Sequence, residues 1–153
     1  MALPQYRIFF DTSVYIAALL SPGGAAGELV RLAETGVIRM VVSEEVIVEA
    51  DRVLAGKFPE LIQESRGLWK HLNPEMAPDP TASQIKPFLE KLSKGDASIL
   101  CAAHLASPKV SAFVTWNTRD FMAQGVSSLV DCPVVVPADC LILFRKWVAP
   151  FLR

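Results

Sequence analysis

A short apolar run, Ile8-Phe9-Phe10, is followed by a single acid, Asp11, and then by a helix-length apolar segment from Val14 to Leu20. No other stretch restricts the fold as tightly. Consecutive large apolar residues suit a strand buried on both faces, the habit of parallel sheets covered by helices on either side. Thr12 and Ser13 are able to cap the helix that follows. Asp11 therefore falls at the carboxyl end of a strand, where α/β sheets meet their ligands. Two readings of it stand level at this point: it caps the helix, as Asp commonly does, or it takes part in chemistry.

The rest of the chain continues the alternation. Ser21 to Gly24 is a turn, Ala25 to Thr35 a helix closed by Gly36, and Val37 to Val42 a second strand. The glycine run around Pro22 invites a phosphate-loop reading, but it lacks the Lys-Ser/Thr ending and does not directly follow a strand. Ser43 caps the next helix, with Glu44 and Glu45 in its first turn. Val46, Ala50 and Val53 mark its buried face, and Glu49 lies in the same stripe. A carboxylate there is costly unless it is paired, for which Arg52 is available, or bound to a cation.

Between residues 57 and 94 the pattern is weaker. Pro59 to Leu72 reads as helix, Asn73 to Pro80 as a proline-rich loop, and Ala82 to Leu92 as a helix interrupted near Pro87. Ser93 to Asp96 introduces a helix from Ala97 to Ala106, and Ile99, Leu100 and Ala103 put Asp96 on its apolar face. Ser93 and Asp96 also fit a capping pattern. Val110 to Trp116 is a third strand that runs into Asn117-Thr118-Arg119-Asp120-Phe121, where Asp120 could cap a short helix. Val134 to Val136 is a fourth strand, and Pro137 opens a last helix through Leu141, Phe144 and Trp147. This order predicts one α/β domain over residues 1–153, a parallel sheet covered on both faces.

Composition narrows the function. Apolar residues make up 52% of the chain and mean hydropathy is +0.34, yet the run from Val14 to Leu20 falls far short of the ~20 residues of a spanning helix. No basic signal region precedes it, so the expectation is a soluble, cytoplasmic protein. Cys101, Cys132 and Cys140 are odd in number and form no C-x-x-C pair, which argues against disulfides and zinc and for small core residues. His71 reads as a surface residue and His104 as a core or boundary one. A net charge of -1 gives no general attraction to nucleic acid, so a polyanionic partner needs a basic patch or a bound cation.

Asp11, Glu49, Asp96 and Asp120 come from separate parts of the chain, two after strands and two on apolar helix faces. With parallel strands and a central first strand, all four converge on one sheet edge. Crowded carboxylates repel, and a divalent cation neutralises them. Oxygen ligands without His or Cys favour Mg²⁺ or Mn²⁺ over zinc. The chemistry that follows is phosphodiester hydrolysis, with Thr115 and Asn117 placing the phosphate or a water.

The motifs Phe10-Asp11-Thr12-Ser13-Val14, Ser43 to Glu49, Gly95 to Leu100 and Thr115 to Phe121 together resemble the PIN-domain ribonucleases, and within them the VapC-like toxins of toxin–antitoxin pairs. The resemblance spans about Arg7 to Phe144, and the order of the motifs carries it. It implies a three-layer α/β/α sandwich, Mg²⁺- or Mn²⁺-dependent cleavage of RNA, an antitoxin partner and a homodimer. By position Asp11, Glu49, Asp96 and Asp120 match the family's acidic metal site, and Thr115 and Asn117 its polar accessory positions. Thr12 departs from the Asn that many members carry. Two rivals remain: an aspartyl-phosphate enzyme with Asp11 as nucleophile, which lacks the usual second Asp two residues on, and a catalytically silent binding or regulatory module.

Overall fold

A computed structural model describes residues 4–152. Five strands, β1 (Tyr6–Phe10), β2 (Ile38–Val42), β3 (Glu75–Met76), β4 (Ala112–Val114) and β5 (Val134–Val135), form one sheet in the order β3-β2-β1-β4-β5. Every pairing is parallel. The helices are α1 (Thr12–Leu20), α2 (Ala25–Glu34), α3 (Glu44–Lys57), α4 (Ile62–Leu72), α5 (Ala82–Ile85), α6 (Lys94–Leu105), α7 (Thr118–Phe121) and α8 (Pro137–Val148). They complete the expected α/β/α sandwich.

Burial explains the apolar runs. Ile8, Phe9 and Phe10 of β1 and all of β4 are fully buried, because β1 is central and helices cover the sheet. Phe9 and Phe113 are register partners, and their rings stack at 5.6 Å. On α1, Tyr15 stacks on Trp69 of α4 at 3.8 Å, and its hydroxyl meets that of Ser65 at 2.7 Å.

Strand order places the ligand-binding edge. From β1 the chain builds outward to β2 and β3, then returns to the other side of β1 for β4 and β5. The direction of winding therefore reverses between β1 and β4. Such a switch point leaves a crevice at the carboxyl ends of the two strands, and Asp11 and Thr115 directly follow them.

Several boundaries differ from expectation. The proline-rich stretch from Asn73 to Pro80 contains β3, which pairs Glu75 with Val41 and Met76 with Val42. A two-residue edge strand after a proline has no alternation to read; Arg7, on β1, pins it through an ion pair with Glu75. Strands β4 and β5 are shorter than predicted, and α6 starts at Lys94 rather than Ala97. Leu54, not Val53, completes the buried face of α3. His104 is exposed and faces Asp131 at 3.8 Å instead of the core.

The glycine run has a packing role. A Cβ on Gly27 would meet the Pro22 carbonyl oxygen at 2.0 Å, so only glycine lets α2 close against the turn before it. Gly36, with φ +78, ends α2 in the left-handed region as expected of a helix stop. Cys101 and Cys140 are buried and Cys132 is half-buried, all three as free thiols. Among the described residues, no single helix is long and apolar enough to cross a membrane.

Candidate active site

Asp11 occupies the position before α1, but its side chain makes no capping bond. This separates the two readings of the sequence. Thr12 and Ser13 lie inside the helix instead of capping it. The Asp11 carboxylate is held by two hydroxyls, one from α1 and one from the end of β4: Ser13 Oγ donates to Oδ2 at 2.7 Å and Thr115 Oγ1 donates to the same oxygen at 2.8 Å. Oδ1 takes no side-chain donor among the described residues.

The two hydroxyls tie the carboxyl ends of β1 and β4 together. Ser13 Oγ accepts the Trp116 amide at 3.0 Å, and Thr115 Oγ1 accepts the Asn117 amide at 2.9 Å. The Asp11 amide itself donates to the Val114 carbonyl at 3.0 Å, prolonging the strand ladder by one bond. Residues 115–117 are thereby fixed relative to Asp11. Thr115 is fully buried, and its hydroxyl is committed to Asp11 and to the Asn117 amide.

Asn117 is likewise engaged. It sits before α7, accepting the Asp120 amide at 3.4 Å and donating from Nδ2 to Asp120 Oδ2 at 3.0 Å. Asp120 thus lies within the first turn of α7 and Asn117 is the cap. On α6, the Ser93 hydroxyl accepts the Asp96 amide at 3.4 Å. The backbone of Asp96 serves the cap while its carboxylate turns to the other acids.

Each acid's surroundings act on its carboxyl. Asp11 is only 3% exposed, and burial pushes its carboxyl above its ordinary value against the pull of the Ser13 and Thr115 hydroxyls and, more weakly, of the Thr12 and Ser13 backbone amides. Burial also raises Glu49, and the charges of Asp11, Asp96 and Glu45 raise it further. Asp96 is raised by burial first, then by Asp11 and Asp120. The four predicted acids therefore share one field, and a cavity of about 400 Å³ is lined by Asp11, Glu49, Asp96, Trp116 and Asn117 among others. Exposed Asp120 stands outside that lining, in contact with Asn117.

Glu45 is a fifth acid that the sequence pattern assigns only to the helix dipole. Its carboxylate lies within 3.9 Å of where a Gly95 Cβ would stand, beside that of Glu49 at 4.0 Å. The i,i+4 spacing of Glu45 and Glu49 is the signal that could have found it. Arg52, the candidate salt-bridge partner, lowers Glu49 only as the last of its influences. Ser43 is the cap residue of α3 by position, yet its buried hydroxyl has no partner.

The donor set is oxygen throughout, the chemistry that suits Mg²⁺ or Mn²⁺. Among the described residues no three acid, His or Cys side chains form a ready-made metal cage. Mg²⁺ is commonly held by one or two carboxylates plus water and substrate phosphate, so an Asp11 Oδ1 free of side-chain donors, with Glu49 and Asp96 nearby, could hold it that way.

The sequence model of the PIN-domain family matches residues 7–119, which run from β1 into α7 and contain Asp11, Glu49 and Asp96. The chain belongs to the PIN-domain family. Among solved structures, this PIN domain is similar to a chain in the crystal structure of VapBC2 from Rickettsia felis bound to a DNA fragment from their promoter. The TM-score is 0.60 at 14% identity, over 85% of this chain and 98% of that one, a likeness of fold. No curated protein matches the sequence.

Proposed function

We propose that this PIN domain is an Mg²⁺- or Mn²⁺-dependent ribonuclease that hydrolyses phosphodiester bonds at the site formed by Asp11, Glu49, Asp96 and Asp120. One observation carries the proposal: a buried carboxylate at the sheet's switch point, oriented by two hydroxyls, whose charge raises the carboxyls of Glu49 and Asp96 beside it. A structural acid would be paired with a base. No lysine or arginine side chain bonds to Asp11, Glu49 or Asp96 among the described residues.

Roles follow from position. Asp11, through Oδ1, with Glu49 and Asp96, would hold the cation. When bound, it supplies a Lewis acid for the phosphoryl oxygen and lowers the pKa of a water. Glu49 is half-buried and, without a cation, burial and the neighbouring acids raise its carboxyl, a cost that a bound cation would offset. Thr115 and Ser13 keep Asp11 oriented, and Asn117 fixes Asp120 at the rim. The fold likeness to a chain of the VapBC2 complex supports a further step: the protein acts as the toxin of a toxin–antitoxin pair and is inhibited by a protein partner, with homodimerisation as the family resemblance implies.

The test is cleavage of RNA by purified protein freed of any partner, with Mn²⁺ and with chelator. Asp11→Asn and Asp96→Asn should each reduce cleavage by about 10²-fold or more while the fold persists. Equal cleavage by wild type and both variants would assign the activity to a contaminant and end the proposal.

A further inference from the structure

The cavity holding the acids has an apolar side that hydrolysis does not require. Ile16, Leu20, Val53 and Trp116 line it together with the carboxylates. Leu20 and Trp116 are each 48% exposed, so neither contributes a full share to the core. Its volume, about 400 Å³, is that of a small-ligand site.

The backbone of Trp116 is tied to the acid site. Its amide donates to Ser13 Oγ at 3.0 Å, and that same hydroxyl donates to Asp11 Oδ2 at 2.7 Å. The indole therefore stems from a backbone position one residue past Thr115 and lines the same cavity as Asp11. The lining also selects the chemistry of the occupant. Inorganic phosphate gains nothing from an apolar wall, and an apolar peptide gains nothing from a cluster of acids. A nucleotide presents an aromatic base beside a phosphate and uses both sides, the phosphate through the cation that the acids would hold. The chain's net charge of -1 offers little general attraction to a polyanion, so affinity must come from local contacts: the phosphate on the cation the acids would hold, and a base stacked on an aromatic side chain.

We infer that Trp116, on the same cavity lining as Leu20, is the platform on which an unpaired base next to the scissile phosphate stacks, making it a specificity-determining residue of this site. The inference rests on the ribonuclease reading. A base inside a duplex already has both faces covered, so the platform selects unpaired nucleotides.

Binding is measured without cleavage on an Asp96→Asn background, using a short labelled single-stranded RNA, the same RNA with one abasic ribose, and its duplex. Trp116→Ala should weaken single-strand binding roughly five- to 150-fold, and Trp116→Phe should recover most of the loss. The abasic ribose should cost the protein that keeps Trp116 a similar factor and the Trp116→Ala protein almost nothing, since the two changes remove one contact. In the cleaving enzyme the same substitution should raise KM and leave kcat within about twofold. Unchanged affinity in Trp116→Ala, equal affinity for the duplex, or an abasic penalty that persists without the indole each overturns the inference. So does unchanged RNA binding accompanied by loss of a co-purifying protein partner, which would give the cavity to a protein segment. RNA bound through Trp116 but never cut would defeat the ribonuclease reading alone.

Discussion

Replacing Thr115 by Val keeps the shape of a fully buried side chain and deletes its hydroxyl. That hydroxyl makes two bonds, donating to Asp11 Oδ2 at 2.8 Å and accepting the Asn117 amide at 2.9 Å. A hydrogen bond to a charged group contributes ~1.5–3 kcal/mol, and an unpaired, partly buried amide costs a further ~1 kcal/mol. The expected loss is about 2–4 kcal/mol. At ~2–4 °C per kcal/mol for a chain of this size, Tm should fall by about 4–16 °C. Thr115→Ser keeps both bonds and loses one buried methyl, for a loss of only ~1 kcal/mol. The gap between Val and wild type should also narrow as pH falls, because a protonated Asp11 gains only ~0.5–1.5 kcal/mol from the same donor. Thermal unfolding between acid and neutral pH, in chelator, measures all three quantities. A Val penalty no larger than that of Ser, or one independent of pH, would refute a role for Thr115 through the Asp11 charge.

Two further outcomes follow from the same geometry. Burial raises the carboxyls of Asp11, Glu49 and Asp96, so the folded protein keeps protons that the unfolded chain has released. Stability is then full below the ordinary carboxylate range, near ~4, and is lost as pH rises through the raised values. Glu75, lowered by its bond to Arg7, gives the opposite slope from a single exposed-edge pair. Unfolding in chelator should therefore show stability declining from mildly acid to neutral pH, and Mn²⁺ should flatten the decline; a rise with pH would refute it. Gly27→Ala would place its Cβ 2.0 Å from the Pro22 carbonyl oxygen and should cost about 1–3 kcal/mol by denaturant unfolding, with a neutral effect counting against the packing role.

Much of this architecture is legible in the chain because burial leaves a plain mark. Ile8-Phe9-Phe10 reads as a two-sided buried strand because it is the centre of the sheet. Glu49 stands out because an acid in an apolar helix stripe is rare. Strand β3 is hidden for the complementary reason: two residues after a proline carry no period, and their place is set by Arg7, sixty-eight positions away. Capping is the other blind spot. Asp11 and Ser43 both occupy cap positions with suitable side chains, yet neither makes the side-chain cap bond; Asp11 is held by the Ser13 and Thr115 hydroxyls instead, and the buried Ser43 hydroxyl has no partner. Trp116 closes a strand-like run and reads as part of it, although it ends up facing solvent beside the acids.

The outermost strands, β3 and β5, are two residues long. A row of unsatisfied amides and carbonyls that brief cannot template another strand, so the sheet is closed to growth at either border without any guarding lysine or bulge. Two copies that associate must therefore meet through helices and loops, and a mutation that lengthened either border would open a route to fibrous self-assembly that the present chain does not offer.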